Sequence, residues 1–204
     1  MADLVLYHAA PSRSATVRWM LEEVGEPYDI HLLKLAEGDQ QKPEYLAVNP
    51  QGKVPALKHK GVVITEVAAI CTYLADEFPK ARLSIPPGDP RRGVYLQWLF
   101  FGPSCVEPAI TDRAFPRKEP PRAGTIGYRD IDQLADIVAK AVAKGPYLMG
   151  EQFTAADVVI GSGVRWGTAF KLLPERSEFG PYVARLSQRP ALQHAEAKDK
   201  DLAA

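Results

Sequence analysis

Strand-like and helix-like segments alternate over the first 80 residues, and this order constrains the fold more than any other feature of the chain. Residues 4–7 form a short apolar run that is typical of a buried strand. Residues 17–24 carry apolar side chains at helical spacing, and residues 28–32 alternate apolar and polar side chains as a strand does. A strand, a crossover helix and a second strand predict a unit whose two strands lie parallel.

A hairpin and another helix follow in the same part of the chain. Two strand-like runs, residues 54–58 and 62–64, are separated by a short turn that contains Gly61. Thr65 is suited to cap a helix that has Glu66 in its first turn and continues to Phe78. We therefore predict the order β-α-β followed by β-β-α within the first 80 residues.

A proline-rich segment separates this part from the rest of the chain. Residues 79–90 contain four prolines and a glycine, a composition that is typical of linkers. Strand-like patterns nearly vanish after it, and apolar residues recur at helical spacing instead. We predict an α/β domain over residues 1–80, a linker over residues 81–90 and an all-α domain over residues 91–204.

Charge and cysteine content argue against several classes of protein. Lysine plus arginine and aspartate plus glutamate number 25 each, so the net charge is zero and no global field favours nucleic acid. Cys71 and Cys105 are too few for a disulfide framework and have no partners at zinc spacing. No apolar run approaches the roughly 18 residues of a membrane span, and no signal peptide is recognisable. We expect a cytoplasmic protein without a metal, nucleic-acid or membrane partner.

Four motifs point to one family. They are residues 6–14 (LYHAAPSRS), 49–57 (NPQGKVPAL), 64–66 (ITE) and 150–157 (GEQFTAAD). Through them the chain resembles the cytosolic glutathione S-transferases of the bacterial, two-domain type over essentially its whole length. The resemblance implies a thioredoxin-like α/β N-terminal domain, an all-α C-terminal domain and glutathione as the co-substrate.

The resemblance makes three hydroxyls candidates for activating glutathione. Glutathione reacts as a thiolate, and a free thiol with a pKa of about 8.5 is mostly protonated at neutral pH. A hydrogen bond donated to the charged sulfur contributes about 1.5–3 kcal/mol, which lowers that pKa by about one to two. We favour Ser12, with Tyr7 and Ser14 as alternatives. The structural alternative is that Tyr7 packs in the core and that both serines cap the helix.

The family also implies how the backbone of glutathione is held. The proline of its most recognisable segment, here Pro55, is cis, and the preceding residue, here Val54, pairs its backbone with the cysteinyl part of the tripeptide. Lys53 could then meet the glycine carboxylate, with ordinary solvent exposure as the alternative. Arg13 is a candidate anion clamp, although the sequence alone favours a solvated loop residue.

The sequence departs from the family pattern at Glu66 and Val67. The family usually has an acidic or amide residue followed by serine or threonine, and these residues meet the γ-glutamyl ammonium and carboxylate. Glu66 fits this pattern, whereas Val67 lacks the hydroxyl and keeps only its N–H. The loss of one charge-assisted hydrogen bond costs about 1.5–3 kcal/mol.

The resemblance further implies a homodimer and an electrophile pocket between the domains. Four aromatic residues of the helical part are candidates to line this pocket, with a place in the core as the alternative for each: Trp98, Phe101, Trp166 and Phe170. The predicted activity is addition of glutathione to a small hydrophobic electrophile. Two alternatives stay open: a weakly catalytic or non-catalytic binding or partner protein, and glutathione-dependent peroxide reduction or ether cleavage.

Overall fold

The computed structural model describes residues 3–119, 121–122 and 124–203 of the 204-residue chain. These residues form two compact units, and each is described by itself. Unit 1 comprises the chain up to Leu83 together with the segment from Arg189 onwards, and unit 2 comprises Ser84–Gln188.

Unit 1 is built on a four-stranded sheet. Its N-terminal elements are β1 (Leu4–His8), α1 (Ser14–Val24), β2 (Tyr28–Leu32), α2 (Pro43–Leu46), β3 (Ala56–His59), β4 (Val62–Thr65) and α3 (Val67–Glu77). The strand order is β2-β1-β3-β4, in which β1 is parallel to β2 and β3 is antiparallel to both of its neighbours. The predicted order of elements, the parallel pair and the thioredoxin-like architecture are thus confirmed.

Apolar periodicity explains how this sheet is covered. Leu4 and Leu6 alternate with more exposed residues along β1, and both are buried. α1 and α3 each bury one apolar stripe, and these two helices contact each other. The β3–β4 turn places Lys60 and Gly61 at φ 50° and 80°, a conformation that the glycine adopts without steric cost.

The last helix of the chain returns to unit 1. This helix, α9 (Pro190–Ala203), packs along α1. Arg189 donates to Glu23 at 2.6 Å, and Lys198 donates to Glu22 at 2.5 Å. The units therefore differ from the division drawn on the sequence, which assigns all of residues 91–204 to the helical domain. The periodicity of α9 shows that it is a helix but not which part of the chain it covers.

Unit 2 is helical. Its helices are α4 (Arg92–Phe101), α5 (Glu107–Ala114), α6 (Ile131–Val142), α7 (Ala155–Ala169) and α8 (Phe179–Ser187), and a π-helical segment, Gly102–Val106, joins α4 to α5. Isolated β-bridges near Tyr147 are the only strand-like pairing in the part of unit 2 that the structure describes. In the described ranges, no helix has the length and apolar content needed to span a membrane.

Candidate active site

Three segments of unit 1 meet at one edge of the sheet because of the strand register. Tyr7, near the end of β1, pairs with Ala56, the first residue of β3. Thr65, the last residue of β4, pairs with the same Ala56. The loop that follows β1, the segment that precedes β3 and the turn that follows β4 therefore lie together. We call this meeting point, formed by residues 9–13, 49–55 and 66–67, the loop edge.

The loop after β1 presents Ser12 and hides Ser14. Ser12 is half-buried, and its Oγ lies 2.7 Å from the Oγ of Ser14 and accepts the Ser14 N–H at 3.1 Å. Ser14 begins α1 and is fully buried, and its Oγ accepts the N–H of Ala9 at 3.1 Å. The side chain of Arg13 is exposed beside them. Of the two serines, Ser12 is the one with surface left for a ligand.

Tyr7 lies on the other face of β1 from the buried Leu6 and His8. Its ring lies 4.9 Å from the ring of His31 and 5.7 Å from that of Tyr45, measured between centroids. These three residues help to line a cavity of about 350 Å³ beside α2. The structure therefore places Tyr7 among the aromatic residues on the α2 side of the sheet, and no hydrogen bond among the described residues joins it to Ser12.

Two peptide bonds at the loop edge are cis. The Val54–Pro55 bond is cis, as the family resemblance implies. The Ala10–Pro11 bond is also cis, a feature that was not predicted from the sequence. Val54 is half-buried, and only Pro55 separates it from Ala56, the buried first residue of β3.

Lys53 is held by its backbone, and the residues that hold it were not singled out from the sequence. Its carbonyl oxygen accepts the Tyr45 hydroxyl at 2.5 Å and the Asn49 amide at 2.8 Å. Burial raises the pKa of Tyr45 to about 12, so the phenol stays protonated and continues to donate. Gly52 adopts φ 61°, and a Cβ there would lie 2.7 Å from the amide nitrogen of Gln41. The exposed Lys53 side chain therefore extends from a fixed turn.

Among the described residues, no side-chain hydrogen bond caps the start of α3. Glu66 precedes the helix at φ 69° and ψ 119°, a conformation that L residues rarely adopt, and its side chain is exposed. The first bond of the helix runs from the Ile70 N–H to the Glu66 carbonyl, so the amides of Val67 and the next two residues precede it. Thr65 ends β4, and the prediction that it caps α3 is wrong. The register with β3 explains the difference, because Thr65 is held in the sheet.

Three of the four aromatic residues proposed for an electrophile pocket lie on two helices of unit 2, and the fourth directly follows one of these helices. Trp98 is buried on α4, and its ring makes an edge-to-face contact with that of Phe101, with 5.5 Å between centroids. Trp166 is half-buried near the end of α7. Phe170 follows that helix and is 71% exposed, so it is the member of the set that is least engaged in packing within unit 2.

Neither thiol is suited to act as a nucleophile. Cys71 is buried on α3, and burial raises its pKa. Cys105 donates to the carbonyl of Gly127 at 2.9 Å, and burial raises its pKa also. Across the described residues, no group of three or more histidine, cysteine, aspartate or glutamate side chains is arranged to hold a metal ion.

Comparison with protein families and curated proteins gives one consistent result. The family described as "Glutathione S-transferase, N-terminal domain" matches residues 12–77, which include the loop edge from Ser12 to Val67. Glutathione S-transferase GstA from Escherichia coli O157:H7 is 30% identical over 169 residues, which cover 82% of this chain and 82% of that protein. Glutathione S-transferase D7 from Drosophila melanogaster is 31% identical over 163 residues, which cover 78% of this chain and 71% of that protein.

Solved structures resemble the whole chain. The bacterial glutathione S-transferase BphK, solved as a ternary complex, has a TM-score of 0.80 and 26% identity, with 96% of this chain and 99% of that chain covered. A sphingomonad glutathione S-transferase complexed with glutathione has a TM-score of 0.79 and 26% identity, with 96% and 98% covered.

Proposed function

The chain belongs to the glutathione S-transferase family, and from this premise we propose that it activates the thiol of glutathione for attack on a small hydrophobic electrophile. The observation that supports this proposal is the strand register, which brings three segments together at the loop edge. One segment offers a hydroxyl, one a backbone edge beside a cis proline, and one an uncapped helix N-terminus. These groups match the thiol, the peptide backbone and the α-carboxylate of one tripeptide.

We place the γ-glutamyl end of glutathione at the start of α3. The amides at Val67 favour an anion, and the helix dipole adds to this preference. The exposed carboxylate of Glu66 is one residue away and suits the ammonium group of the same γ-glutamyl unit. The unusual backbone of Glu66 turns the chain into the helix at this point, which supports a ligand-binding role for the strained residue.

We place the remaining two residues of glutathione along the cis-proline segment. The Val54 backbone would pair with the cysteinyl unit, and the Lys53 ammonium would meet the glycine carboxylate. The anchored carbonyl of Lys53 supports this placement because it fixes the direction in which both residues face. Arg13 is exposed at the same edge and is a second cation for the anionic tripeptide.

We assign the thiol contact to Ser12 rather than to Ser14 or Tyr7. Ser14 is buried and hydrogen-bonded by its neighbours, so its proposed role is to support Ser12. Tyr7 lies among His31 and Tyr45, on the other face of β1 from His8. The reaction then requires stabilisation of the thiolate and its orientation toward the electrophile, both of which a preorganised donor can supply.

The proposal also covers the electrophile, the assembly and the cellular setting. Exposed Phe170 and the paired rings of Trp98 and Phe101 support an apolar substrate, with Trp166 as a further lining residue. Exposed apolar side chains on both units, such as Val62, suit a homodimer. We place the protein in the cytoplasm, where thiols stay reduced, in a detoxifying role.

A second candidate function follows from Val67. Without a side-chain hydroxyl at this position, the γ-glutamyl carboxylate has only backbone donors, which favours a binding or partner protein with little catalysis. Peroxide reduction and ether cleavage would use the same glutathione site, so hydroperoxide and aryl-halide conjugation assays distinguish them from simple transfer.

Calorimetric titration with reduced glutathione and with S-methyl glutathione near neutral pH tests the proposal. We expect both ligands to bind with dissociation constants between micromolar and low millimolar, followed by turnover with an electrophile. A folded protein that gives no heat with either ligand at several millimolar would contradict the glutathione site and favour the partner-protein alternative.

A further inference from the structure

A chain of polar side chains runs inward from Ser12. The Oγ of Ser12 lies 2.7 Å from that of Ser14, which in turn lies 2.8 Å from Nδ1 of His8. His8 is the last residue of β1, and its side chain is completely buried. Two hydroxyls therefore connect the loop edge to a buried imidazole.

The far side of this imidazole faces a carboxylate. Nε2 of His8 lies 3.1 Å from Oδ1 of Asp199, although the ring N–H does not point straight at that oxygen, so the contact acts mainly through charge. The guanidinium of Arg18 donates to the same oxygen. Burial raises the pKa of Asp199, but the contacts with His8 and Arg18 outweigh it and hold the pKa below its usual value. Asp199 is therefore ionised.

Asp199 is the acid that the contacts of the described residues place against His8. Asp199 comes from α9 and Arg18 from α1, and these are the charged groups that the structure places against or beside the ring within its described ranges. The residue opposite His8 on β2 is Leu32, which does not titrate. Asp199 therefore faces one side of the ring, and the hydroxyl of Ser14 faces the other.

The hydrogen bonds can run in two directions, and the charge of the ring selects between them. Because Asp199 favours a proton on Nε2, a neutral ring accepts at Nδ1, so Ser14 donates to His8 and Ser12 donates to Ser14. In a charged ring Nδ1 carries a proton and donates to Ser14, so the Ser14 proton turns to the Oγ of Ser12 or to the Ala9 carbonyl, which lies 3.1 Å away. In either case Ser14 no longer accepts from Ser12. Only then is the Ser12 hydroxyl free to donate to a sulfur. In both arrangements the second lone pair of Ser14 accepts the Ala9 N–H.

We propose that His8, supported by Asp199, receives the thiol proton of glutathione through Ser14 and Ser12. The S–H bond breaks as its proton passes to the Ser12 oxygen, the Ser12 proton passes to Ser14, and the Ser14 proton forms the Nδ1–H bond of His8. The products are a thiolate that accepts a hydrogen bond from Ser12 and an imidazolium beside the Asp199 carboxylate. His8 and Asp199 act through Ser12, so they are positioning residues, and the inference rests on the proposed function.

The test counts protons at about pH 8, where a free thiol with a pKa of about 8.5 is still mostly protonated. Calorimetry in two buffers of different ionisation enthalpy gives the number of protons released when reduced glutathione binds, and the ultraviolet absorbance of the thiolate reports ionisation of the sulfur. We expect wild-type protein to form the thiolate while releasing far less than one proton per site. S-methyl glutathione has no thiol proton, so it should bind with the same affinity to wild-type protein and to variants of His8 or Asp199.

Two variants test the two inner members. Asp199→Asn keeps the size of the side chain but removes the charge that stabilises the imidazolium. We expect it to lower kcat about tenfold and to raise the pKa of the bound thiol by about one, with little change in KM. His8→Gln can still contact Ser14 but accepts no proton, so any thiolate it forms must release a full proton. Asp201 is an exposed carboxylate on the same helix, so Asp201→Asn is the matched control. It should leave kcat, KM, the pKa of the bound thiol and the number of protons released unchanged.

The outcomes separate the relay from the glutathione site. Release of one proton by wild-type protein, or an Asp199→Asn variant with the wild-type thiol pKa, would overturn the relay while leaving glutathione binding intact. If S-methyl glutathione does not bind, the proposed function fails, and the relay fails with it. If His8→Gln does not fold, the half-buried Asp199 still provides the decisive variant.

Discussion

The starts of α3 and α7 solve the same physical problem in opposite ways. The first amides of any helix lack partners within the helix. At α7 the chain supplies a cap: the Thr154 side chain accepts the N–H of Asp157. The Asp157 carboxylate in turn accepts the Thr154 N–H at 3.0 Å, the Leu148 N–H at 2.8 Å and the Tyr182 hydroxyl at 3.0 Å. At α3 no side chain caps the helix, and the exposed Glu66 precedes it with an unusual backbone conformation.

This difference separates a structural helix start from one that is available to a ligand. The α7 start is buried and internally satisfied, so a change there acts on the stability of the fold. The α3 start lies at the loop edge, and its first amides have no partner within the helix, so we expect a change there to act on ligand affinity.

The largest effect is expected where the closed start is opened. Asp157→Ala leaves buried donors of Thr154, Leu148 and Tyr182 without their acceptor, and we expect it to lower the free energy of unfolding by about 3–5 kcal/mol. Asp130→Ala is the matched control, because Asp130 caps α6 through one bond to Gln133 at a more exposed position and should cost about 1 kcal/mol. Urea unfolding measures both, and equal losses would contradict the contrast between helix starts.

The same carboxylate predicts a pH dependence. Burial raises the pKa of Asp157 to about 6, against an ordinary value near 4 in the unfolded chain. Between these two pH values the folded state binds more protons than the unfolded chain. The stability that protonated Asp157 adds is therefore fully present below about pH 4 and is lost as pH rises through about 6. Relative to Asp157→Asn, wild-type protein should lose stability over this window. If the free energies of unfolding of the two proteins change in parallel with pH, this interpretation is contradicted.

At the loop edge the largest effect is expected from Ser12. Ser12→Ala removes the proposed donor to the sulfur, and we expect kcat to fall about 10- to 100-fold with little change in KM. Tyr7→Phe is the control, because Tyr7 lies with His31 and Tyr45, and it should be nearly silent. Steady-state kinetics with one electrophile measure both variants, and the reverse pattern would move the thiol contact to Tyr7.

The next effect concerns the turn that holds Lys53. In Gly52→Ala the new methyl group would lie 2.7 Å from the side-chain amide nitrogen of Gln41 and 2.8 Å from the backbone carbonyl oxygen of Gln40, so the turn must shift. We expect glutathione affinity, measured by calorimetry, to fall about tenfold as the adjacent Val54 backbone moves. Gly61→Ala has a similar positive φ but nothing within 4 Å, so it should reduce stability without weakening binding. Weakening by both variants would point to global destabilisation instead.

Local patterns predicted the elements of this fold, but they did not predict the contacts between distant segments. The apolar run that forms β1 and the periodicity of α1 predicted the parallel pair, whereas the cis bond at Pro55 was implied by the family resemblance of the NPQGKVPAL segment. Thr65 was misassigned because the pairing of β4 with β3 outweighs its capping preference. His8 and Asp199 were overlooked because they are 191 positions apart and become neighbours only when α9 folds back along α1.

The smallest effect tests the open helix start directly. Val67→Ser restores a hydroxyl beside the amides that we assign to the γ-glutamyl carboxylate, and we expect it to tighten glutathione binding by up to about tenfold. Val67→Ala removes the same apolar bulk without adding a donor, so the difference between the two variants isolates the hydroxyl. Calorimetry with S-methyl glutathione measures both without interference from the thiol. If the two variants bind equally, the backbone amides and Glu66 already satisfy the γ-glutamyl unit, and the valine is a neutral feature of the site rather than a sign of weak binding.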